Sequence, residues 1–166
     1  MDIALSSQDL KDIFDGELKI LLYGDVQKYR TVDELLEPYD RVCILYNWTK
    51  NMGHWVCLFK KGDTIYFFDS FGSIPDGRTN RGQIPDQLKY KFGMEYKYLT
   101  DLLYKSPYTI DYNPKVLQDK YSSTCGRWCA VRMSLDNLTT EEFNKHFTND
   151  KRLNDHYVIY LTDEEE

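Results

Sequence analysis

Residues 54–72 read HWVCLFKKGDTIYFFDSFG, and no other stretch limits the fold as tightly. Two apolar runs rich in aromatic and β-branched residues flank Lys61-Gly62-Asp63. Such runs around a Gly-Asp turn predict an antiparallel β-hairpin. Antiparallel pairing lays the start of one strand beside the end of the other. His54 opens the first strand and Asp69 ends the second, so the two are expected to meet at one end of a sheet. The apolar run RVCILYNW (41–48) predicts a further strand.

Helices are expected on either side of this region. SSQDLKDIF reads as a capped helix start with Ser6 or Ser7 as N-cap, and TVDELLEP pairs Thr31 with Glu34 at capping-box spacing before Pro38. Residues 72–86, rich in Gly, Pro and Asp, read as a loop. PDQLKYKFG predicts a short helix ending at Gly93, and MEYKYLT alternates like a strand. Residues 105–118 read as irregular, with an edge strand. A helix over 124–136 follows, then one in LTTEEFNKHF with Thr139 or Thr140 as N-cap. Leu153, Tyr157, Tyr160 and Leu161 recur at helical spacing and predict a final helix. The order, helices around a compact antiparallel or mixed sheet, is that of an α+β domain spanning 1–166.

Composition removes several function classes. Hydrophobic residues make up 42% of the chain, enough for a core, and the net charge of −6 gives no basic footprint for nucleic acid. No apolar run approaches the roughly 20 residues that span a bilayer. The N-terminus lacks the basic and apolar regions of a secretory signal, so neither a membrane nor secretion is expected. Asp163 to Glu166 form an acidic run that reads as a solvated, frayed end. Cys43, Cys57, Cys125 and Cys129 show neither metal-type spacing nor a disulfide framework, which fits free thiols, a reducing compartment and no metal.

KYSSTCGRWCAVRM (120–133) places Cys125 at the first turn of a predicted helix. Unpaired N–H groups and the helix dipole favour an anion there, and the thiolate is the reactive form of cysteine. A buried, inert cysteine is the competing reading. A neutral His54 imidazole has the chemistry to take a thiol proton and return it to a leaving amine, and Asp69 to orient that ring. Each has a plain alternative, a satisfied surface histidine and a turn-capping aspartate. Gln118 carries an amide able to donate to a developing oxyanion, although a lone loop glutamine is ordinarily just solvated. His146 and His156 read as surface residues, Cys129 as core, and Arg127 and Arg132 as solvated.

The order and spacing are more specific than any one residue. MGHWVCLF, YFFDSFG and QDKYSSTCGRWCAVRM together resemble the adenovirus-type maturation proteases (adenain), cysteine endopeptidases that share a fold with the SUMO and ubiquitin-like-protein proteases. The resemblance implies a papain-like cysteine protease with its nucleophile at the N-terminus of a central helix. It implies Cys125 as nucleophile, His54 as general base, Asp69 as its partner and Gln118 as oxyanion donor. Asp69 stands where the adenovirus enzyme has Glu. That enzyme also uses a disulfide-linked peptide and DNA. Here no cysteine lies between 57 and 125 and the chain is acidic, so no cofactor is expected.

The implied function is a viral maturation endopeptidase, of a virophage or a related double-jelly-roll virus. It would act as a monomer on capsid or core precursors at Gly-containing sites, in the virion and the host cytoplasm. Trp55, Trp48 and Gly53 are the expected substrate-binding residues, walling a narrow cleft. The alternative is a deconjugase for ubiquitin or a ubiquitin-like modifier. A third reading, an inactive relative serving as a binding module, is disfavoured by four matching chemical positions.

Overall fold

The computed structural model describes residues 4–163. The acidic run therefore lies outside the described residues except for Asp163. Five strands form one mixed sheet in the order β1-β2-β3-β4-β5: β1 (Lys19–Leu22), β2 (Arg41–Asn47), β3 (Gly53–Lys61), β4 (Thr64–Phe68) and β5 (Thr109–Tyr112). The three central strands are antiparallel, and the outer pairs β1–β2 and β4–β5 are parallel. The expected hairpin is β3–β4. Its register closes on Lys61 opposite Thr64, and Gly62 takes φ +60° in the two-residue turn.

β2 and β3 are buried on both faces, which is why they read as continuous apolar runs. Alternate residues go to opposite sides. Val42, Ile44, Tyr46, Val56, Leu58, Ile65 and Phe67 pack beneath α2 (Val32–Leu36) and α4 (Tyr98–Tyr104). Cys43, Leu45, Trp55, Cys57, Phe59 and Phe68 pack beneath α1 (Ser7–Ile13), α5 (Cys125–Ser134), α6 (Thr140–Asn144) and α7 (Lys151–Thr162). Full burial of each Val, Leu or Ile here contributes about 1.5–3 kcal/mol relative to exposure. The short α3 (Asp86–Lys91) ends as expected before Gly93, at φ +74°. Among the described residues no helix is long and apolar enough to cross a membrane.

The capping expectations resolve to single residues. Ser6 caps α1 in a reciprocal box with Asp9, and Thr139 caps α6 with Glu142. Thr31 accepts from the Glu34 N–H, but the Glu34 carboxylate returns to Arg30, one residue before the cap.

Three expectations need correction. MEYKYLT is not a strand: Met94 is buried in a turn and α4 begins at Tyr98. The first N–H groups of α4 are satisfied from far along the chain. Leu99 donates to the Tyr23 hydroxyl at 3.0 Å, and Thr100 to Asp76 Oδ2 at 2.8 Å. No local cap marks that start. The final helix exists, but its buried residues are Asn154, Asp155 and Val158; Leu153, Tyr157, Tyr160 and Leu161 are exposed. Arg127 and Arg132 are buried rather than solvated. Arg132 lies over the rings of Phe59, Tyr66 and Phe143 and donates to the carbonyls of Leu135 and Leu138. Arg127 donates to Thr162 Oγ1 at 2.8 Å.

Candidate active site

The register of the hairpin brings the first pair of polar side chains together. Cys57 pairs with Phe68, so one further step sets Asp69 opposite Val56, and the period of two puts His54 on the same face as Val56. His54 Nε2 lies 2.9 Å from Asp69 Oδ1, with the two side chains 3% and 0% exposed. Asp69 Oδ1 also accepts the Phe71 N–H at 2.8 Å, closing the turn that ends at Gly72. One carboxylate thus both caps the turn and bonds the His54 ring. Its second oxygen accepts from Asn80 Nδ2 at 2.8 Å and Thr79 Oγ1 at 3.1 Å. The Phe71 ring stacks on the imidazole, with centroids 5.2 Å apart.

Burial by itself would disfavour a charged His54, but the adjacent Asp69 carboxylate, its hydrogen bond and the Cys125 sulfur push the ring's pKa up to about 10. Burial likewise opposes the Asp69 charge, and the His54 cation together with hydrogen bonds to its oxygens holds the carboxyl below its ordinary value. With Nε2 engaged by Asp69, Nδ1 is the ring nitrogen left to address the thiol.

Cys125 is the first residue of α5, which packs across β3. Thr124, its N-cap, makes no side-chain cap bond, so no hydroxyl competes for the N–H groups of the first turn. The Trp55 backbone N–H points at Cys125 Sγ, 3.3 Å away. Gly126 allows this close docking: a methyl group there would stand 3.1 Å from the Trp55 indole. Cys43, Cys57 and Cys129 are fully buried in the core, as expected for Cys129.

Gln118 is 1% exposed, not a solvated loop residue. Its Oε1 accepts from Ser70 Oγ at 2.5 Å, next to Asp69, while Nε2 donates to Ser122 O and Oγ at 3.1 and 3.0 Å. Both bonds spend the amide N–H groups on Ser122. A cleft of about 310 Å³ brings together His54, Gln118, Cys125, Trp48, Gly53 and Trp55. Trp48 is partly exposed at its mouth and Trp55 lies deeper. Gly53 is required by its strand neighbour, since a Cβ there would fall 2.1 Å from the Tyr46 carbonyl oxygen. His146 and His156 are exposed, and His146 lines a separate, mostly apolar groove of about 690 Å³ between α1, α5 and α7.

Sequence reasoning missed Thr79 and Asn80, which sit in the Gly/Pro-rich loop, and Ser70 and Ser122, which orient Gln118. None carries a local pattern, because each acts on a partner brought near by the fold.

No family model matches the chain. The uncharacterized protein V9 of Sputnik virophage is 39% identical over 147 residues, covering 87% of this chain and 83% of V9. Two crystal structures of the ASFV pS273R protease superpose on 95% of this chain, with TM-scores of 0.50 and 0.51. They are 12% and 13% identical to it and are covered over 67% and 68% of their own length. What they share with this chain is the fold, a mixed sheet flanked by helices.

Proposed function

The chain belongs to the family of the Sputnik virophage protein V9, and we propose that it is a cysteine endopeptidase of the adenovirus maturation type, acting on precursors of viral structural proteins. One observation carries this reading. His54, bonded at 2.9 Å to the buried Asp69, shares a cleft with Cys125, which starts a helix and whose sulfur faces a backbone N–H. The fold shared with a viral protease and the kinship with a virophage protein support it.

The steps follow from the geometry. The thiol proton passes to His54 Nδ1, and Sγ adds to the scissile carbonyl carbon. The carbonyl oxygen becomes an oxyanion, met by the Cys125 N–H and the Gln118 amide. Collapse breaks the C–N bond while His54 protonates the departing amine, leaving a thioester. His54 then takes a proton from water, hydroxide adds to the thioester, and collapse expels the Cys125 sulfur and frees the carboxylic acid. A ring pKa raised to about 10 lets His54 hold the proton received from the thiol until the amine departs. Asp69, lacking free acceptor capacity for a second task, serves as orienter.

Trp48 and Trp55 narrow the cleft, which favours glycine near the scissile bond because only glycine lets a backbone approach so closely. The test is incubation with the structural proteins encoded beside this gene, followed by sequencing of new N-termini. Cleavage that vanishes in Cys125→Ala is expected. No Cys125-dependent cleavage, with rapid labelling by a ubiquitin- or SUMO-vinyl probe, would move the substrate to folded modifiers.

A further inference from the structure

The loop 117–124 carries Gln118 near one end and leads into Cys125 at the other. Both ends are tied to α7. Asp155 Oδ1 accepts from Thr124 Oγ1 at 3.1 Å and from the Trp128 indole N–H at 2.9 Å. Its Oδ2 accepts the backbone N–H of Asp119, the residue after Gln118, at 3.2 Å. Beside it, Asn154 Nδ2 donates to the Leu117 carbonyl at 3.3 Å, and the rest of the Asn154 amide is spent on Thr148. Inside the loop, Ser122 Oγ bridges the Asp119 carbonyl and Thr124 Oγ1, and it also receives the Gln118 amide.

This arrangement is costly for a helix face. Asp155 is 3% exposed, and burying a carboxylate is unfavourable unless donors surround it. Burial pushes its carboxyl above the ordinary value even against the donors that pull it down. Meanwhile Leu153 and Tyr160, on the same helix, are left in water. An inward apolar stripe would pack this helix at lower cost. What the buried acid adds is directional: three bonds, aimed at the residue after Gln118, the residue before Cys125, and a ring of the nucleophile's helix.

We propose that Asp155, assisted by Asn154, is a positioning residue that fixes loop 117–124 so that the Gln118 amide and the Cys125 N–H address one oxyanion. The proposal rests on the protease reading. Asp155 forms no bond to His54 or to the Cys125 sulfur. Its removal should therefore spare the nucleophilicity of Cys125 and damage only steps that develop charge on the carbonyl oxygen. Alkylation by iodoacetamide builds no oxyanion; acyl transfer does.

The experiment compares wild type, Asp155→Asn, Gln118→Ala and the double variant on a fluorogenic Gly-Gly-containing peptide. Asp155→Asn should lower kcat by roughly 10- to 100-fold, as expected for a sub-ångström to 1 Å displacement of a donor, with KM little changed. The rate of Cys125 alkylation and its pH dependence should match wild type. In the Gln118→Ala background the same substitution should cost clearly less than in wild type, because only the Cys125 N–H is left to misplace and coupled residues are not additive. Thr124→Val, which loses only the hydroxyl, should show a smaller kcat loss that Thr124→Ser restores, and it serves if Asp155→Asn fails to fold. Equal losses in both Gln118 backgrounds, or slowed alkylation, would overturn the proposal by showing a merely structural helix contact. Wild-type protein that alkylates normally but cleaves neither the peptide nor any precursor would overturn the protease reading, and this role with it.

Discussion

His54 and Asp69 lie 15 residues apart on one hairpin, and strand pairing sets them side by side at 2.9 Å, with Thr79 and Asn80 holding the second Asp69 oxygen. Gln118 and Cys125 lie only seven apart, yet their placement depends on α7, from 27 to 37 residues away, and on Ser70, 48 residues back. One half of the cleft is set by a ladder of regular hydrogen bonds. The other is set by side chains that hold an irregular loop. The hairpin half should be rigid and tolerant of remote substitutions, whereas the loop half should be sensitive to residues that never touch substrate.

The largest effect tests the junction of the halves. Cys125→Ala should abolish turnover while leaving thermal unfolding close to wild type, since the sulfur is not what holds α5 in place. Iodoacetamide should label Cys125 first, because Cys43, Cys57 and Cys129 are all fully buried. Faster labelling at any of those three, with activity retained, would remove Cys125 from its role. His54→Ala should be nearly as damaging.

Asp69→Asn comes next, with kcat lowered by up to roughly 10⁴-fold because the imidazole loses its orienting anion. The same variant reads out the hairpin electrostatics. Without the carboxylate, only the Cys125 sulfur opposes burial, and the His54 pKa should drop from about 10, which ring NMR can follow. A raised histidine pKa stabilises the wild type fully below about pH 6.5, and that contribution is lost as pH rises through about 10. The lowered Asp69 contributes above about pH 3.9 and is lost as pH falls below it. Melting temperatures of the Asn variant should therefore decline less on the alkaline side than those of wild type. An unchanged His54 titration would show that Asp69 does not control the ring.

Gln118→Ala probes the loop half, where a kcat loss of about 10²–10³-fold with little change in KM is expected of a single oxyanion donor. Gln118→Glu should be at least as harmful, since it sets an acceptor and a charge against a developing anion. A loss under about threefold for the alanine variant would mean that the amide stays on Ser122 throughout the reaction. The smallest effect belongs to the rim. Trp48→Ala should raise KM by about two- to tenfold at constant kcat, the range that about 0.5–1.5 kcal/mol of lost aromatic contact implies.

The contrast also explains what could be read early. The hairpin pattern, with Gly62 at its turn, announces β3 and β4 and so the His54–Asp69 meeting. The caps at Ser6, Thr31 and Thr139 act within three residues of themselves, and they were legible for that reason. MEYKYLT misled because its alternation is real while the helix it precedes takes its first hydrogen bonds from Tyr23 and Asp76. The apolar residues of α7 misled about its buried face, because polar bonds to loop 117–124 outweigh the cost of exposing Leu153 and Tyr160. Arg132 looked like a surface charge; three rings and two carbonyls that receive it lie as far as 73 residues away in the chain.

Short-range periodicity and local capping encode the central strands, the hairpin, the helix that Cys125 begins and the residue types of the cleft. The tertiary structure alone decided the parallel outer strands, the start of α4, the Thr79 and Asn80 support of Asp69 and the anchoring of the Gln118 loop by Asp155. Each of these depends on a buried polar group finding its partner across the chain, and the strength of such a bond depends on the distance in space, which no local pattern records.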